Sequence, residues 1–159
     1  MQIINICDIS VTAYYINILR NVDIIMQIFF NLWFFIWIDM IGEAIPGMVG
    51  LIRNLKGQGY RLYGLSNWAR ETFNLVEDRF EAFSLLDGYL ISGDAKLLKP
   101  DPAIYQACLS RFGLDAGSCL FVDDNPVNVA AAEAQGIRSI RFTSPEALVK
   151  ELHALGIPV

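Results

Sequence analysis

The sequence has one histidine, three cysteines and no block of basic residues. A lone histidine, His153, argues against a histidine-based triad and against a metal site with several histidine ligands. Cys7, Cys108 and Cys119 lie in apolar contexts without Cys-x-x-Cys spacing. We therefore expect buried thiols in a reducing, cytoplasmic environment. The net charge is −5, so we expect no nucleic-acid partner.

Charge is scarce over the first 44 positions, whose charged residues are Asp8, Arg20, Asp23, Asp39 and Glu43. The run "IIMQIFFNLWFFIWI" at 24–38 has only Gln27 and Asn31 as polar side chains. It is shorter than the roughly 20 apolar residues of a membrane span, and no signal-peptide pattern frames it. Arg20, Asp23, Gln27 and Asn31 recur at intervals that place them on one helix face. This pattern predicts a helix that is buried on most of its surface, for example in a homo-oligomer contact. A membrane anchor is the less favoured alternative.

From Ile45 onward, short apolar runs alternate with amphipathic segments, and hydrophobic residues make up 54% of the 159 positions. The predicted strands are 2–8, 60–66, 86–92, 119–124 and 137–142. The predicted helices are 45–59, 69–80, 101–113, 126–136 and 144–156, with Asp101 and Ser144 as N-caps and Gly113 as a stop. This alternation predicts an α/β fold, a Rossmann-like parallel sheet of about five strands with helices on both faces.

Chemically active side chains follow the predicted strands where each strand ends. They are Asp8, Ser66, Asn67, Lys96, Lys99, Asp123 and Asp124. In an open parallel sheet, ligands bind beyond the carboxyl ends of the strands. A carboxylate can act as a nucleophile, hydroxyl and ammonium groups can hold anionic oxygens, and paired carboxylates suit Mg²⁺. The set predicts a phosphate site, with Lys96 expected at the surface.

Three segments in order resemble motifs of the haloacid dehalogenase-like hydrolase superfamily, over residues 45–157. "LYGLSNW" resembles its second motif through Ser66, and "KLLKPDPAIY" its third through Lys99. "LFVDDNPVNVAAAEAQGI" resembles its acidic fourth motif. Response regulators combine similar groups, but their acidic pair comes early in the chain and here it comes last.

"NICDISVT" is the candidate for the first motif of this superfamily. Asp8 would align with the nucleophile and Thr12 with the motif's threonine, whereas Ser10 stands where phosphatases carry a general-acid aspartate. The resemblance implies residues 1–12 as first strand and nucleophile loop, 13–44 as a reduced, cap-like apolar helical segment, and 45–159 as the core.

The resemblance further implies a Mg²⁺-dependent hydrolase of small phosphorylated metabolites acting through an aspartyl-phosphate. Ser66, Asn67 and Lys99 would hold the phosphate. Mg²⁺ would be held by Asp8, the Ser10 carbonyl and Asp124, with Asp123 in support and Asn128 facing the same site.

Two other functions stay open: 2-haloacid dehalogenation by the same aspartate, and a catalytically impaired binding or assembly module. Plainer roles also stay open for single residues. Asp123 and Asp124 could form a polar turn, Ser66 could cap a helix, Lys99 could be a solvated loop lysine, and Trp68 could line a pocket or belong to the core.

Overall fold

A computed structural model describes residues 2–4 and 44–159. Within them, five parallel strands form one sheet in the order β3-β2-β1-β4-β5. The strands are β1 (Gln2–Ile4), β2 (Leu62–Ser66), β3 (Gly88–Ile91), β4 (Cys119–Asp123) and β5 (Arg138–Arg141). The predicted parallel α/β fold is confirmed.

Strand β1 is the middle strand of the sheet. It pairs with β2 through Ile3 opposite Leu62, and with β4 through Ile3 opposite Leu120. All strands run in one direction, so the carboxyl ends of β2, β1 and β4 lie along the same edge. The predicted Asp8 and Ser10 follow β1 in the sequence and lie outside the described residues, as do the cap-like segment 13–44, except its last residue, and the whole apolar run 24–38.

Helices cover both faces of this sheet. They are α1 (Met48–Gly57), α2 (Arg70–Phe73), α3 (Glu81–Ser84), α4 (Ser92–Ala95), α5 (Pro102–Phe112), α6 (Pro126–Ala134) and α7 (Pro145–Ala154), with a 3₁₀ turn at Ala116–Ser118. Leu120 and Val122 of β4 pack with α1 and α7, whereas Cys119 and Phe121 pack with α5 and α6. This alternation along β4 follows from the two-residue period of a strand.

The predicted caps of α5 and α7 are confirmed. Asp101 accepts a hydrogen bond from the Ala103 N–H, and Ser144 accepts one from the Ala147 N–H. Gly113 ends α5 at φ 61°, a left-handed conformation that glycine adopts without steric cost. These local signals determine the residues at which α5 begins and ends and the residue at which α7 begins.

The predicted helix over 69–80 is wrong beyond its first turn. Helix α2 ends at Phe73, and turns follow up to Arg79. There, Val76 N–H donates to Phe73 C=O and Arg79 N–H to Val76 C=O, both three residues back. Phe73 and Val76 are fully buried. We attribute the tighter turns to this burial, because tertiary packing overrides a modest helix propensity.

Cys108 and Cys119 are buried free thiols, as predicted, and Cys7 lies outside the described residues. Burial raises the pKa of Cys108 to about 12 and also raises that of Cys119. Across 2–4 and 44–159, no helix combines the length and hydropathy that crossing a membrane requires.

Candidate active site

Three polar side chains are buried together at the carboxyl edge of the sheet. Ser66 ends β2, Asp123 ends β4, and Lys99 comes from the loop between α4 and α5. Their relative exposures are 3%, 2% and 4% respectively. Polar groups at this depth need partners, because burial without a hydrogen bond is costly.

Lys99 and Asp123 form a buried ion pair. The Lys99 Nζ donates to Asp123 Oδ2 at 2.9 Å and to the Leu65 carbonyl at 2.8 Å, and both charged side chains are fully inaccessible. Nζ also lies 5.8 Å from the centre of the Phe121 ring. Removing one member of such a pair would leave an uncompensated buried charge. The solvated-lysine alternative for Lys99 is therefore wrong.

The other carboxylate oxygen of Asp123 is held by the start of α6. Oδ1 accepts from the Asn125 N–H at 2.9 Å and from the Asn128 Nδ2 at 3.1 Å. Asn125 also caps α6 through its side chain, and the Tyr105 hydroxyl donates to the Asn128 carbonyl at 3.0 Å. Asn128 thus faces the predicted site. Hydrogen bonds and the Lys99 charge together offset the repulsion expected between adjacent aspartates.

Asp124 is half-buried, unlike its neighbour Asp123. Its carbonyl accepts from Arg141 Nε at 3.3 Å. The Asp123 carboxylate is engaged by Lys99, Asn125 and Asn128, and Asp124 is the more exposed residue of the two. The division between Asp124 as direct metal ligand and Asp123 as supporting residue stays a prediction.

The described residues alone supply few metal ligands. Over 2–4 and 44–159, no three His, Cys, Asp or Glu side chains come together in a way that could hold a metal ion. Mg²⁺ usually binds through one or two carboxylates and retains several waters. Within the described residues, the two aspartates are thus compatible with a sparse Mg²⁺ site and do not form a closed protein cage.

Asn67 holds the Lys99 main chain. Its Nδ2 donates to the Lys99 carbonyl at 2.9 Å, and its Oδ1 accepts from the Lys99 N–H at 2.8 Å. The structure thus brings Asn67 to Lys99, and both polar atoms of its side chain are engaged there.

Helix α4, which precedes the loop that carries Lys99, is attached to the β2–α2 connection. The Trp68 carbonyl accepts from the Gly93 N–H at 2.9 Å and from the Ser92 hydroxyl at 3.2 Å. Arg70 pairs with Asp94, and its hydrogen bond lowers the pKa of that carboxyl. Lys96, in the same loop, is exposed as predicted.

Trp68 packs partly into the core. Its ring meets Phe73 edge-on at 5.6 Å and Phe83 at 6.4 Å between centroids, and its Nε1 donates to the Thr72 hydroxyl. Trp68 is only half-buried, so part of it is accessible to solvent. It follows Ser66 by two residues in the chain.

Sequence reasoning missed the groups that hold the predicted residues in place. These are the Leu65 carbonyl, the Asn125 N–H and the Tyr105 hydroxyl. A backbone carbonyl leaves no mark in a sequence. Asn125 could have been found, since Asn-Pro after a strand is a helix-capping pattern.

Comparisons with known proteins find similar hydrolases and phosphatases. The chain is 30% identical over 115 residues to the chloroplastic flavin mononucleotide hydrolase 1 of Arabidopsis thaliana, covering 72% of this chain and 46% of that protein. It is 33% identical over 108 residues to the sesquiterpene phosphatase astK of Aspergillus oryzae, covering 68% and 55%. The chain spans about half the length of the curated relatives it matches.

A solved dehalogenase with an intermediate complex is similar in structure, with a TM-score of 0.59 and 30% identity over 63% of this chain and 44% of that one. A family model described as haloacid dehalogenase-like hydrolase matches residues 16–136. This match covers most of the chain and includes Ser66, Lys99 and both aspartates. The chain therefore belongs to the haloacid dehalogenase-like hydrolase family.

Proposed function

We propose that this protein is a Mg²⁺-dependent phosphomonoester hydrolase of small phosphorylated metabolites. One observation carries the proposal: the Lys99 ammonium is buried at the carboxyl edge of the sheet, between β2, which ends at Ser66, and Asp123. A fixed positive charge at that edge suits an anionic group, because it stabilises charge that develops during reaction without reorganising solvent.

Asp8 is the proposed nucleophile. Its carboxylate oxygen attacks phosphorus, the bond from phosphorus to the ester oxygen breaks, and the leaving oxygen departs with the electron pair. Ser66 and Lys99 hold the phosphoryl oxygens during the transfer. Water then cleaves the aspartyl-phosphate to release inorganic phosphate and restore Asp8.

Ser10 stands where a general-acid aspartate is expected, so the leaving oxygen must take its proton from water or from the substrate. General acid catalysis typically contributes about 10²–10⁴-fold. We therefore expect aryl phosphates, whose leaving groups need little protonation, to be hydrolysed much faster than alkyl phosphates.

Asp8, the Ser10 carbonyl and Asp124 would hold Mg²⁺, with Asp123 in support. When bound, the metal ion neutralises charge on the phosphoryl oxygens. The fit of this site to Mg²⁺ rests on the hydrogen-bonded Asp123 and the more exposed Asp124 beside it.

The buried thiols Cys108 and Cys119 favour a reducing compartment such as the cytoplasm. The apolar run 24–38 remains the proposed surface for a homo-oligomer.

The test is phosphate release from p-nitrophenyl phosphate with and without Mg²⁺. We expect Mg²⁺-dependent turnover in the wild type and its loss in Asp8→Asn, which removes the nucleophilic oxygen. Asp78→Asn, a matched change at an exposed position, should leave the rate unchanged. Full activity in Asp8→Asn would rule the mechanism out.

Dehalogenation is the second candidate, favoured by the likeness to the solved dehalogenase. It would use Asp8 to displace halide from a 2-haloacid without metal. The adjacent Asp124 argues against it, because a second carboxylate suits a metal-dependent site better. Halide release in the presence of a chelator, without phosphatase activity, would reverse the order of the two candidates. Binding of Mg²⁺ and phosphate without turnover of either substrate would favour the binding-module alternative.

A further inference from the structure

One short segment of the chain binds both the ammonium and the backbone of Lys99. The Leu65 carbonyl accepts from its Nζ, and the Asn67 side chain binds its backbone N–H and C=O. Leu65 is the last residue but one of β2, and Asn67 directly follows Ser66, the final residue of that strand. The end of β2 thus binds Lys99 both at its ammonium and at its backbone.

This double attachment matters because a lysine side chain is long and flexible. Its four-carbon stem carries a compact charge that several rotamers can place in different positions. Burial removes much of that freedom here, but the Nζ position also depends on where the Lys99 Cα lies. The two Asn67 hydrogen bonds, at 2.8 and 2.9 Å, fix that end of the residue.

Asn67 suits this task because its amide carries a donor and an acceptor side by side. Its carbonyl oxygen faces the Lys99 N–H, and its NH₂ group faces the Lys99 carbonyl. Both polar atoms of this side chain already bind Lys99, and of the amide donors only the second NH₂ hydrogen could reach a phosphate oxygen. The arrangement thus favours a role through Lys99 over the direct contact expected from the sequence.

We propose that Asn67 is a positioning residue that sets the location of the Lys99 ammonium at the phosphate site. The catalytic consequence rests on the proposed phosphatase function, whereas the structural part does not. Asn67→Ala removes both hydrogen bonds. Asn67→Asp keeps the acceptor and removes the donor, and it serves as a second variant if the alanine form folds poorly.

The first test needs no substrate. In protein labelled with ¹⁵N at the lysine side chains, we expect the Lys99 ammonium to give a slowly exchanging proton–nitrogen signal, assigned by its absence in Lys99→Arg. In Asn67→Ala its exchange with water should rise by about tenfold or more, since two hydrogen bonds that fix the residue are lost. Ser144→Ala, which removes the cap of α7, controls for a general loss of stability and should leave the signal in place.

An unchanged Lys99 signal in Asn67→Ala would overturn the proposal. So would the absence of a protected lysine signal in the wild type, because the inference depends on a buried, hydrogen-bonded ammonium.

The second test is a double-mutant cycle on the affinity for inorganic phosphate, measured by calorimetry in the presence of Mg²⁺. We expect Asn67→Ala to weaken binding by about tenfold in the wild type and by less than about twofold in Lys99→Arg, since residues that act as one unit are not additive. Equal losses in both backgrounds would mean direct contact and contradict positioning. A wild type that neither binds phosphate nor releases it from esters would refute the proposed function, and the ammonium signal would then decide the structural part alone.

Discussion

The Asp123 carboxylate shows how a buried charge is held at this sheet edge. It accepts hydrogen bonds from Lys99, Asn125 and Asn128. One of these donors is the ammonium of a fully buried ion pair. A pair like this is weak evidence for net stability, because desolvation offsets the attraction. We therefore interpret the Lys99–Asp123 ion pair as an interaction that fixes the positions of the two side chains.

Cys108 provides a prediction at the level of a single residue. Its thiol is 1% exposed, and burial raises its pKa to about 12. Because the thiolate is the reactive form, we expect no alkylation of Cys108 by iodoacetamide at pH 8 in the folded protein. Mass spectrometry of the peptide that contains Cys108 measures this, with urea-unfolded protein as the positive control. Equal labelling in both states would contradict the buried placement.

At the level of elements, the loop from α4 to Lys99 depends on a close approach of two backbones. A Cβ built on Gly93 would lie 2.5 Å from the Arg70 backbone nitrogen and 3.0 Å from the Trp68 carbonyl oxygen. These atoms belong to the backbone and cannot rotate away. Glycine is therefore required where α4 meets the start of α2.

We predict that Gly93→Ala separates α4 from α2 and lowers both stability and phosphate affinity. The loss in unfolding free energy should be about 1–3 kcal/mol, as for other cases of overpacking. Gly50→Ala is the matched control, because Gly50 lies in helix α1 with nothing within 4 Å of its Cβ position. That change should stabilise the protein by up to about 1 kcal/mol through helix propensity. Thermal unfolding of both variants measures the contrast, and a Gly93→Ala protein as stable as the wild type would contradict it.

The elements differ in how far the sequence could predict them. Helices α5 and α7 carry Pro at their first positions and side-chain caps, and these local signals were sufficient. The stretch after Phe73 was predicted as helix because its apolar residues have helical spacing. We attribute the turns found there to packing of Phe73 against Phe83 and Tyr89, which the sequence does not reveal. In the candidate site, Ser66 and the two aspartates were predicted from their strand-end positions and Lys99 from the loop after the third strand, and the structure places Ser66, Lys99 and Asp123 at one edge of the sheet. The Asn67 bonds were not predicted, because they depend on how two distant loops meet.

At the level of the whole molecule, acid is expected to weaken the attachment of α1 to the sheet. Asp87 accepts from the Leu62 N–H at 2.7 Å and from the Lys56 Nζ at 2.7 Å. Burial alone would raise the pKa of Asp87, but these bonds outweigh it, so the pKa lies below its ordinary value. The unfolded state then binds more protons than the folded state, and stability rises with pH through that range.

We predict that Asp87→Asn lowers the unfolding free energy by about 1 kcal/mol at pH 7, a modest value because solvent screens the partly exposed pair. The contribution of Asp87 is fully present above its unfolded pKa, about 3.9, and is lost as pH falls through the lower folded pKa. The two proteins should therefore converge in strongly acidic buffer. Urea unfolding from pH 7 to pH 2 measures this, and a difference that stays constant across the series would contradict it.

The middle position of β1 also bears on how the protein folds. Strands β2 and β4 each pair with β1 and not with each other, and β4 lies far along the chain from β1. Pairings between distant segments form slowly, because loop closure must come first. Until β1 is inserted, β2 and β4 each present an open edge that could pair with another chain. Strand β1, which includes Gln2–Ile4, thus joins the two halves of the sheet, and we expect its insertion to decide between folding and aggregation during refolding.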